Sequence, residues 1–345
     1  MKQSNNCYLF TFLCFIVFGC VNVNQDPLAH FTEQQTIKIK PSIVVELEDY
    51  EILRPLEALK YGDEYVISDQ KRNDVVTFVN FSTSKYVSGI GFGNGPNELI
   101  MYNGIKIIND RLFLYDMSNK KIFEIINRND SLQIEQYIEI KYKKKLAIID
   151  ILDNKVIASG LSDDFWIEYV DIINNELLSG IDFPKFDNTG SLRGMQKSVI
   201  YLSSHLAISP DSKKFVAATQ YAGVISLCEI DKDKITDYRQ IKYFPPDFSV
   251  VQGGNIAFSR KGKIGFCKVD CDNHHIYALY SGRTSLSHDA TSHYCEHLLV
   301  YDWEGNPVKH YKLDVPMWSM RYDREKNSIY GTAYNPEGVF IEYQL

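Results

Sequence analysis

The chain has 345 residues, 45% of them hydrophobic, which is enough to build a large buried core. Tyrosine and phenylalanine are abundant, at 23 and 19 residues, and aromatic residues favour β-strands. The formal net charge of −7 argues against a surface that binds nucleic acid or another polyanion.

The N-terminus has the pattern of an export signal. The apolar run from Tyr8 to Gly19 is too short to span a bilayer and has the length of a signal-peptide hydrophobic region. It ends in VFGC, where a small residue directly precedes Cys20. This ending resembles the lipobox of bacterial lipoproteins, although Phe18 departs from the small residue that is usual there. A plain secretory signal followed by a chance cysteine is the alternative.

The lipobox resemblance implies that signal peptidase removes residues 1–19 and that Cys20 carries the lipid. The protein would then be exported and anchored in the bacterial cell envelope, facing the periplasm or the cell exterior. Residues 20–35 are polar and without periodicity, which predicts a flexible tether. Residues 36–345 are predicted to form the folded domain, and no second apolar run in them approaches transmembrane length.

Four cysteines lie beyond the signal and the anchor: Cys228, Cys267, Cys271 and Cys295. In an exported chain they allow three complete disulfide pairings, and the sequence does not choose among them. Buried free thiols are the alternative.

Six similar units follow one another along the folded domain. In each unit a polar turn leads to a short strand, a break and a second strand. These strand pairs begin at Tyr65, Leu112, Val156, Phe215, Ile276 and Ile329. No convincing long helix lies between them, which argues against a doubly wound α/β fold, and a β-sandwich would not repeat at this period. The pattern predicts an all-β, six-bladed β-propeller of four-stranded blades.

Closure of the ring requires one more strand. The last unit has no outermost strand before Leu345, whereas residues 36–47 precede the first unit and have a strand pattern. We expect this N-terminal strand to complete the sixth blade and to pair its exposed edge.

Residues 88–100, SGIGFGNGPNELI, could form either a nucleotide-binding loop or a corner between blades. A dinucleotide loop needs G-x-G-x-x-G at the start of a helix; the spacing here differs, and a P-loop lysine is absent. Glycines permit positive φ, and Pro96 fixes the turn that follows. The segment therefore predicts a corner between the outer strand of the first blade and the inner strand of the second.

Three segments, in order, resemble the TolB-like six-bladed propeller lipoproteins. They are GFGNGPNEL at 91–99, ISPDSKKFVAA at 208–218, and the run from IYALYSGR to LLVYDWEGNPVKHYKLD at 276–314. The resemblance extends over most of the chain beyond the tether. It implies a propeller at the cell envelope and implies no particular set of catalytic residues.

Blade topology indicates where a site could lie. Connections from strand 4 to the next strand 1 and from strand 2 to strand 3 emerge on one face, and the long loops 89–104, 184–204, 245–255 and 281–297 all belong to it. Long loops on a rigid scaffold often carry function. The candidate ligand contacts on this face are Asn94, Glu98, Arg193, Gln196, Tyr221, Asp247, Arg283, His288 and Trp318.

For three of these candidates the sequence predicts a particular kind of contact. Glu98 is expected to accept hydrogen bonds from nearby backbone amides. Arg193 and Arg283 could bind a carboxylate or a sugar acid, with ordinary surface ion pairs as the alternative.

Two groups of possible metal ligands stand in the last third of the chain. They are Cys267, Cys271, His274 and His275 in the first group, and His293, Cys295 and His297 in the second. The first group is predicted at a turn between strands 1 and 2, on the face opposite the second. Neither group alone has the spacing of a four-ligand zinc site. G-x-S-x-G and H-E-x-x-H hydrolase motifs are also absent, so we predict no metal and no cofactor.

The sequence thus predicts a non-catalytic propeller, expected to be a monomer, that is attached to the membrane through Cys20. It would bind an envelope protein or a glycan and no nucleic acid. The alternative is a lactonase- or lyase-like propeller enzyme that acts on a glycan or lactone through a channel-bound metal. Three or more carboxylate or histidine ligands in the channel would favour the enzyme, and an apolar or plugged channel would favour the binding module.

Overall fold

The structure, a computed structural model, describes residues 25–70, 73–128, 131–288 and 291–345. The helical elements are short: α1 (Gly194–Tyr201), α2 (Ser285–His288), and 3₁₀ turns at Pro27–His30, Glu33–Gln35, Glu48–Tyr50, Asp187–Thr189 and Gln252–Gly254. No helix within the described ranges is long and apolar enough to cross a membrane. The predicted signal segment and Cys20 lie outside the described residues.

The first blade is a five-stranded sheet, preceded by two short strands, β1 (Thr36–Ile39) and β2 (Ile43–Glu46). Its strands are β3 (Pro55–Tyr61), β4 (Glu64–Asp69), β5 (Asp74–Asn80), β6 (Lys85–Phe92) and β7 (Glu98–Leu99). Strands β3 to β6 are antiparallel neighbours, and β7 pairs parallel with the end of β6.

Blades two, three and four are each an antiparallel sheet of four consecutive strands. Blade two contains β8 (Tyr102–Ile108), β9 (Arg111–Asp116), β10 (Lys121–Arg128) and β11 (Ser131–Glu139). Blade three contains β12 (Lys145–Leu152), β13 (Lys155–Leu161), β14 (Ile167–Asp171) and β15 (Glu176–Ile181). Blade four contains β16 (Ser204–Ile208), β17 (Lys214–Thr219), β18 (Gly223–Asp231) and β19 (Lys234–Phe244). A hairpin of β20 (Phe248–Val250) and β21 (Ile256–Phe258) follows it.

Blades five and six share one nine-stranded sheet with β1 and β2. Blade five contains β22 (Phe266–Cys271), β23 (His275–Tyr280), β24 (Cys295–Asp302) and β25 (Pro307–Met317). Blade six contains β26 (Arg321–Asp323), β27 (Ser328–Tyr334) and β28 (Gly338–Gln344). The two blades are joined where Met317 pairs with Ala333.

The innermost strands form a closed circuit. In order, β3, β8, β12, β16, β22 and β26 contact their neighbours, and β27 of the last blade contacts β3. Among the described residues, an apolar cluster fills each of the six interfaces between adjacent blades. Because strand residues alternate, Leu112 and Leu114 pack toward blade one, whereas Phe113 and Tyr115 pack toward blade three. The predicted six-bladed propeller is confirmed.

The N-terminal segment closes the ring as predicted, but in two pieces. Strand β2 pairs antiparallel with β28 and becomes the outermost strand of the sixth blade. Strand β1 instead pairs parallel with β25 of blade five, with Thr36 opposite His310. The two pieces are separated around Pro41, which has no N–H to donate to a strand ladder.

The prediction of a flexible tether over residues 20–35 is wrong for the part that the structure describes. The carboxylate of Asp26 lies 2.8 Å from the ammonium of Lys263. Phe31 is buried, and its ring meets that of Tyr301 edge-on at a centroid distance of 5.4 Å. This buried aromatic contact outweighs the polar composition of the segment and holds it against blades four and five.

The glycine-rich segment is a corner, and no helix begins within it. The chain turns after β6 and returns as β7 beside it. The amide of Gly95 donates to the carboxylate of Glu98 at 2.6 Å, the backbone contact that the sequence suggested for Glu98. Gly93 has φ +154°, and a Cβ there would overlap the same carboxylate. The glycines therefore make room for Glu98.

Candidate functional site

A cavity of about 230 Å³ opens at one mouth of the central channel. It lies on the face that carries the long connections, where the innermost strands begin. The innermost strands border the channel, and residues at their first positions line the cavity. The side chains that define the cavity are Glu57, Tyr102, His205, Lys268, His293 and Trp318. We call it the mouth cavity.

Glu57 is a buried carboxylate of the mouth cavity. Its Oε1 accepts hydrogen bonds from the amide of Ile105, at 2.9 Å, and from the hydroxyl of Tyr102. Its Oε2 lies 3.6 Å from Nη2 of Arg321 and 3.9 Å from Nζ of Lys268. Burial alone would raise the pKa of Glu57, but the two cations and the two hydrogen bonds hold it below its usual value. Glu57 is therefore ionised at neutral pH, and its Oε1 already accepts two hydrogen bonds.

Lys268 and His205 have unused hydrogen-bonding capacity. Among the described residues, Nζ of Lys268 makes no hydrogen bond, and its single ion-pair contact is the long one to Glu57. Nε2 of His205 is buried without a hydrogen-bond partner in the same part of the structure. Burial, followed by the positive charges of Lys268 and Lys106, holds the pKa of His205 well below its usual value, so the ring is neutral at pH 7.

Trp318, which lines the mouth cavity, belongs to an aromatic cluster. The rings of Tyr294 and Tyr334 are almost parallel, at 9° and 5.6 Å between centroids. Trp318 stands perpendicular to both, at 5.9 Å and 6.3 Å. His293 lies 6.2 Å from the Trp318 ring. Neighbours on several sides hold the half-buried indole in a fixed orientation.

The opposite end of the channel is polar, and two of its charged groups form an ion pair. Nζ of Lys106 lies 3.2 Å from Asp150, and Asp270 accepts a hydrogen bond from the amide of Tyr322 at 2.9 Å. Within the described ranges, no group of three or more His, Cys, Asp or Glu side chains could hold a metal ion. The channel is therefore neither apolar nor arranged as a metal centre in the part of the chain described.

The family model for TolB-like 6-blade propeller-like proteins matches residues 33–323. The chain belongs to this family. A search of curated protein sequences gives no significant match.

Solved structures resemble this TolB-like propeller at low sequence identity. A luciferin-regenerating enzyme aligns with a TM-score of 0.52 at 10% identity, over 88% of this chain and 95% of that one. A gluconolactonase from Xanthomonas campestris gives 0.50 at 11%, over 87% and 89%. A candidate exported protein from Bacteroides fragilis gives 0.50 at 11%, over 90% and 99%. At these identities the similarity shows the fold alone.

The predicted contact residues of the TolB-like propeller do not form one site, and Trp318 is the one that lines the mouth cavity. Arg193 and Gln196 border a separate groove beside α1. There the Gln196 amide accepts from the Arg193 backbone at 3.0 Å and donates to the Gly254 carbonyl at 2.8 Å. Gln196 is thus occupied in holding two loops together.

Tyr221 and Asp247 border a third, smaller cavity, where Tyr221 stacks on Phe258 at 4.2 Å between centroids. Arg283 pairs with Glu296 and also donates to the carbonyl of Thr291 at 3.1 Å. This matches the ion-pair alternative for Arg283.

The remaining predicted contacts lie away from the mouth cavity. His288 is exposed at the end of α2, and Asn94 is exposed in the corner before β7. Glu98 supports that corner and is not among the residues that line the mouth cavity.

Cys228, Cys267, Cys271 and Cys295 are buried free thiols, one of the two alternatives. Cys271 ends β22 near the predicted turn, but Cys267 lies near the start of that strand, where its thiol contacts that of Cys295. The prediction that Cys267 and Cys295 lie on opposite faces of the propeller is therefore wrong. Strand β22 crosses the blade, so the two ends of the CKVDC motif lie near different faces. Burial, reinforced by Cys267, raises the pKa of Cys295 well above its usual value.

Sequence reasoning missed most of the mouth cavity because it followed loop length. The overlooked signal is a charged residue inside a short apolar strand: Glu57 in PLEALKY and Lys268 in FCKVDC. On an innermost strand such a residue can reach the channel, because this strand forms the edge of the blade that borders it.

Proposed function

We propose that this chain is an exported, lipid-anchored binding module of the cell envelope without catalytic activity. Its ligand would be a single sugar ring or a polyol of similar size. The observation that carries the proposal is the mouth cavity, which is lined by Trp318 and by Lys268 and His205, two residues with unused hydrogen-bonding capacity. A concave site with an aromatic wall and a few convergent polar groups is typical of small-molecule binding.

Size limits the ligand. The mouth cavity has a volume of about 230 Å³, below the range of roughly 300–1,000 Å³ that is usual for drug-sized ligands. A longer glycan could enter only with a terminal residue, its remainder extending outward from the mouth.

Chemistry favours a sugar ring over a purely apolar ligand. A sugar presents C–H groups on its faces and hydroxyls around its edge, so it can pack against an indole while it hydrogen-bonds at the rim. Trp318 offers the aromatic surface, and its contacts with Tyr294 and Tyr334 fix its orientation. A wall that is ordered before binding loses little conformational entropy when the ligand enters.

The enzyme alternative has less support. The described residues contain no cluster of three or more His, Cys, Asp or Glu side chains that could hold a metal ion, and Lys106 at the far end of the channel already pairs with Asp150. The gluconolactonase and the luciferin-regenerating enzyme are only 10–11% identical to this chain. This similarity supports a shared fold and gives no information on the reaction.

Export and anchoring rest on the N-terminal sequence and on the family. The apolar run before Cys20 has the length of a signal peptide, and its end resembles a lipobox. A protein of similar fold from Bacteroides fragilis is described as a candidate exported protein. These observations support the proposal of an exported propeller that is anchored at the envelope.

Calorimetric titration of the mature protein in mild detergent with a panel of monosaccharides tests the proposal. At least one sugar should bind saturably, and Trp318→Ala should weaken it about ten-fold or more, because an aromatic wall of the cavity is lost. Trp303→Ala is the matched control. Trp303 is also half-buried, but it donates to the carbonyl of Asp272 at the turn between β22 and β23, at the other end of the blade.

Mass spectrometry of the recovered ligand completes the test. An unchanged ligand agrees with a binding module. Conversion to a product would favour the enzyme alternative, and equal effects of the two tryptophan substitutions would place binding outside the mouth cavity.

A further inference from the structure

We infer that the mouth cavity recognises a carboxylate through Lys268 and His205, so that the bound ring is that of a sugar acid. This inference rests on the proposed function and names the ligand class of the same cavity. Lys268 and His205 replace Arg193 and Arg283 as the candidates for carboxylate binding. Arg283 is paired with Glu296, and Arg193 borders a different groove.

The first step is the charge balance around Glu57. Its Oε1 is occupied by the Ile105 amide and the Tyr102 hydroxyl, and the nearest cation to its Oε2 is Arg321, at 3.6 Å. Lys268 is left 3.9 Å away, beyond hydrogen-bond distance. Its ammonium group carries three N–H donors, so an anion that enters the cavity can take them without displacing Glu57 from Arg321.

The second step is the orphan nitrogen of His205. Strand β16, which carries His205, lies next to β22, which carries Lys268, so both side chains reach the same side of the cavity. A neutral imidazole has one N–H and one lone pair, and the tautomer protonated at Nε2 offers a donor where no protein acceptor stands. A buried polar atom without a partner is unfavourable, and a ligand oxygen would satisfy it.

The two donors, Lys268 and His205, together with the nearby carboxylate of Glu57, favour a ligand with a single negative charge. A carboxylate has two oxygens, one for the Lys268 ammonium and one for His205 Nε2, and charge-assisted hydrogen bonds are the stronger ones. A dianion such as a phosphate would add a second negative charge beside Glu57. The other cations of the channel already face carboxylates, since Lys106 pairs with Asp150 and Arg321 contacts Glu57.

The ring that carries this carboxylate would lie against Trp318. Gln220 also lines the mouth cavity, and its side-chain amide makes no hydrogen bond within the described residues, so it can bind a ring hydroxyl. A ring-free carboxylate would satisfy Lys268 and His205 and would leave Trp318 and Gln220 without a contact.

Calorimetry on the mature protein tests the inference with three kinds of probe: the uronic acids glucuronate and galacturonate, the matching neutral sugars glucose and galactose, and the ring-free carboxylate lactate. We expect a uronate to bind at least about ten-fold more tightly than the matching neutral sugar and at least about ten-fold more tightly than lactate. Lys268→Met should abolish the preference for the uronate, so that uronate affinity falls about ten-fold or more beyond any loss of neutral-sugar affinity. Lys268→Arg should retain the preference, and Lys234→Met is the charge-matched control at an exposed position of β19.

The outcomes separate the inference from the proposed function. Equal binding of uronate and neutral sugar, with both weakened by Trp318→Ala, would overturn the carboxylate site and keep the sugar site. No binding of any sugar would overturn both. Lactate that binds as tightly as a uronate would overturn the assignment to a sugar acid.

Wild-type protein provides a second measurement in case Lys268→Met fails to fold. The methyl ester of a uronate, which carries no negative charge, should bind about ten-fold or more weakly than the free uronate, because the charge-assisted hydrogen bond to Lys268 is lost. Equal affinities for the ester and the free acid would overturn the carboxylate site.

Discussion

The imidazole rings of His297 and His310 are joined by a hydrogen bond, with Nδ1 of His297 3.0 Å from Nε2 of His310. One ring donates and the other accepts, which requires that the accepting nitrogen carry no proton. The hydroxyl of Thr36 lies 3.1 Å from Nδ1 of His310, so the pair also contacts β1. Burial, followed by the charge of His310, lowers the pKa of His297 to about 4, and burial lowers that of His310.

We therefore expect stability to fall as the pH drops from about 6.5 to about 4. The unfolded chain protonates these rings near pH 6.5, whereas the folded chain keeps His297 neutral until about pH 4. In that window the unfolded state binds more protons, so acidification favours unfolding. Lys312 adds to the shift of His297, while Glu296 and Asp26 oppose it. Thermal melting between pH 7 and pH 4 measures the loss.

The double variant His297→Gln, His310→Gln isolates this pair. It should melt lower than wild type at pH 7 and lose less stability on acidification. Some loss will remain, because the pKa values of His205 and His293 are also lowered. An unchanged acid slope in the double variant would contradict this account.

The buried ring of Phe31 predicts that the segment before β1 contributes to stability. Phe31→Ala should lower the free energy of unfolding by about 3 kcal/mol, because it removes a buried aromatic side chain. Phe92→Ala serves as the control, since Phe92 is 44% exposed and should change stability by no more than about 0.5 kcal/mol. Denaturant unfolding compares the two variants, and equal effects would mean that Phe31 does not pack as described.

Two N-terminal truncations distinguish packing from ring closure. Removal of residues up to 35 should lower the melting temperature, because Asp26 and Phe31 lose their contacts. Removal up to 47 should lower it further and promote aggregation, because it also deletes β2 and exposes the edge of β28. Equal melting temperatures for the two truncated chains would show that β2 does not close the sixth blade.

The corner at Gly93 predicts a difference between two glycine substitutions. Gly62 has φ +60° with open space around its Cβ position, so Gly62→Ala should cost only the backbone strain, about 1 kcal/mol. Gly93→Ala should cost more, about 2–4 kcal/mol, because its Cβ would also overlap the Glu98 carboxylate.

Coupling with Glu98 checks the physical reason. In a double-mutant cycle, Gly93→Ala should destabilise the protein less when Glu98→Ala has already removed the carboxylate. Additive changes in the free energy of unfolding would show that the overlap is not the cause.

The corner also predicts that no nucleotide binds there. Millimolar ATP or NAD should leave the melting temperature unchanged, since a ligand bound by the native state alone would raise it.

The lipobox-like sequence predicts that Cys20→Ala blocks lipidation. The variant should lose partitioning into the detergent phase or retain its signal segment, which membrane fractionation and mass spectrometry of the intact protein detect. A variant with wild-type partitioning and mass would leave Cys20 without this role.

The fold could be predicted from the sequence because the strand and turn patterns that specify a blade are local and recur in every blade. Strands such as β9 and β17 alternate toward two blade interfaces, so their residues read as short apolar runs between turns, six times over. The mouth cavity did not follow, because it joins single residues from blades that are distant in sequence. Loop length was a poor guide to it, since the polar groups of long loops, such as Gln196 and Arg283, are used to hold those loops in place.

The packing of Asp26 against Lys263 sets how far the propeller could stand from a membrane. With a lipid on Cys20, the chain between Cys20 and Asp26 reaches at most about 20 Å when fully extended. Lys263 precedes β22, and Tyr280, whose hydroxyl donates to Asp26 at 3.0 Å, ends β23, so the attachment point lies on the rim of the mouth face. A lipidated propeller would therefore stay close to the membrane surface. A ligand that binds in the mouth cavity would come from the solution next to that surface.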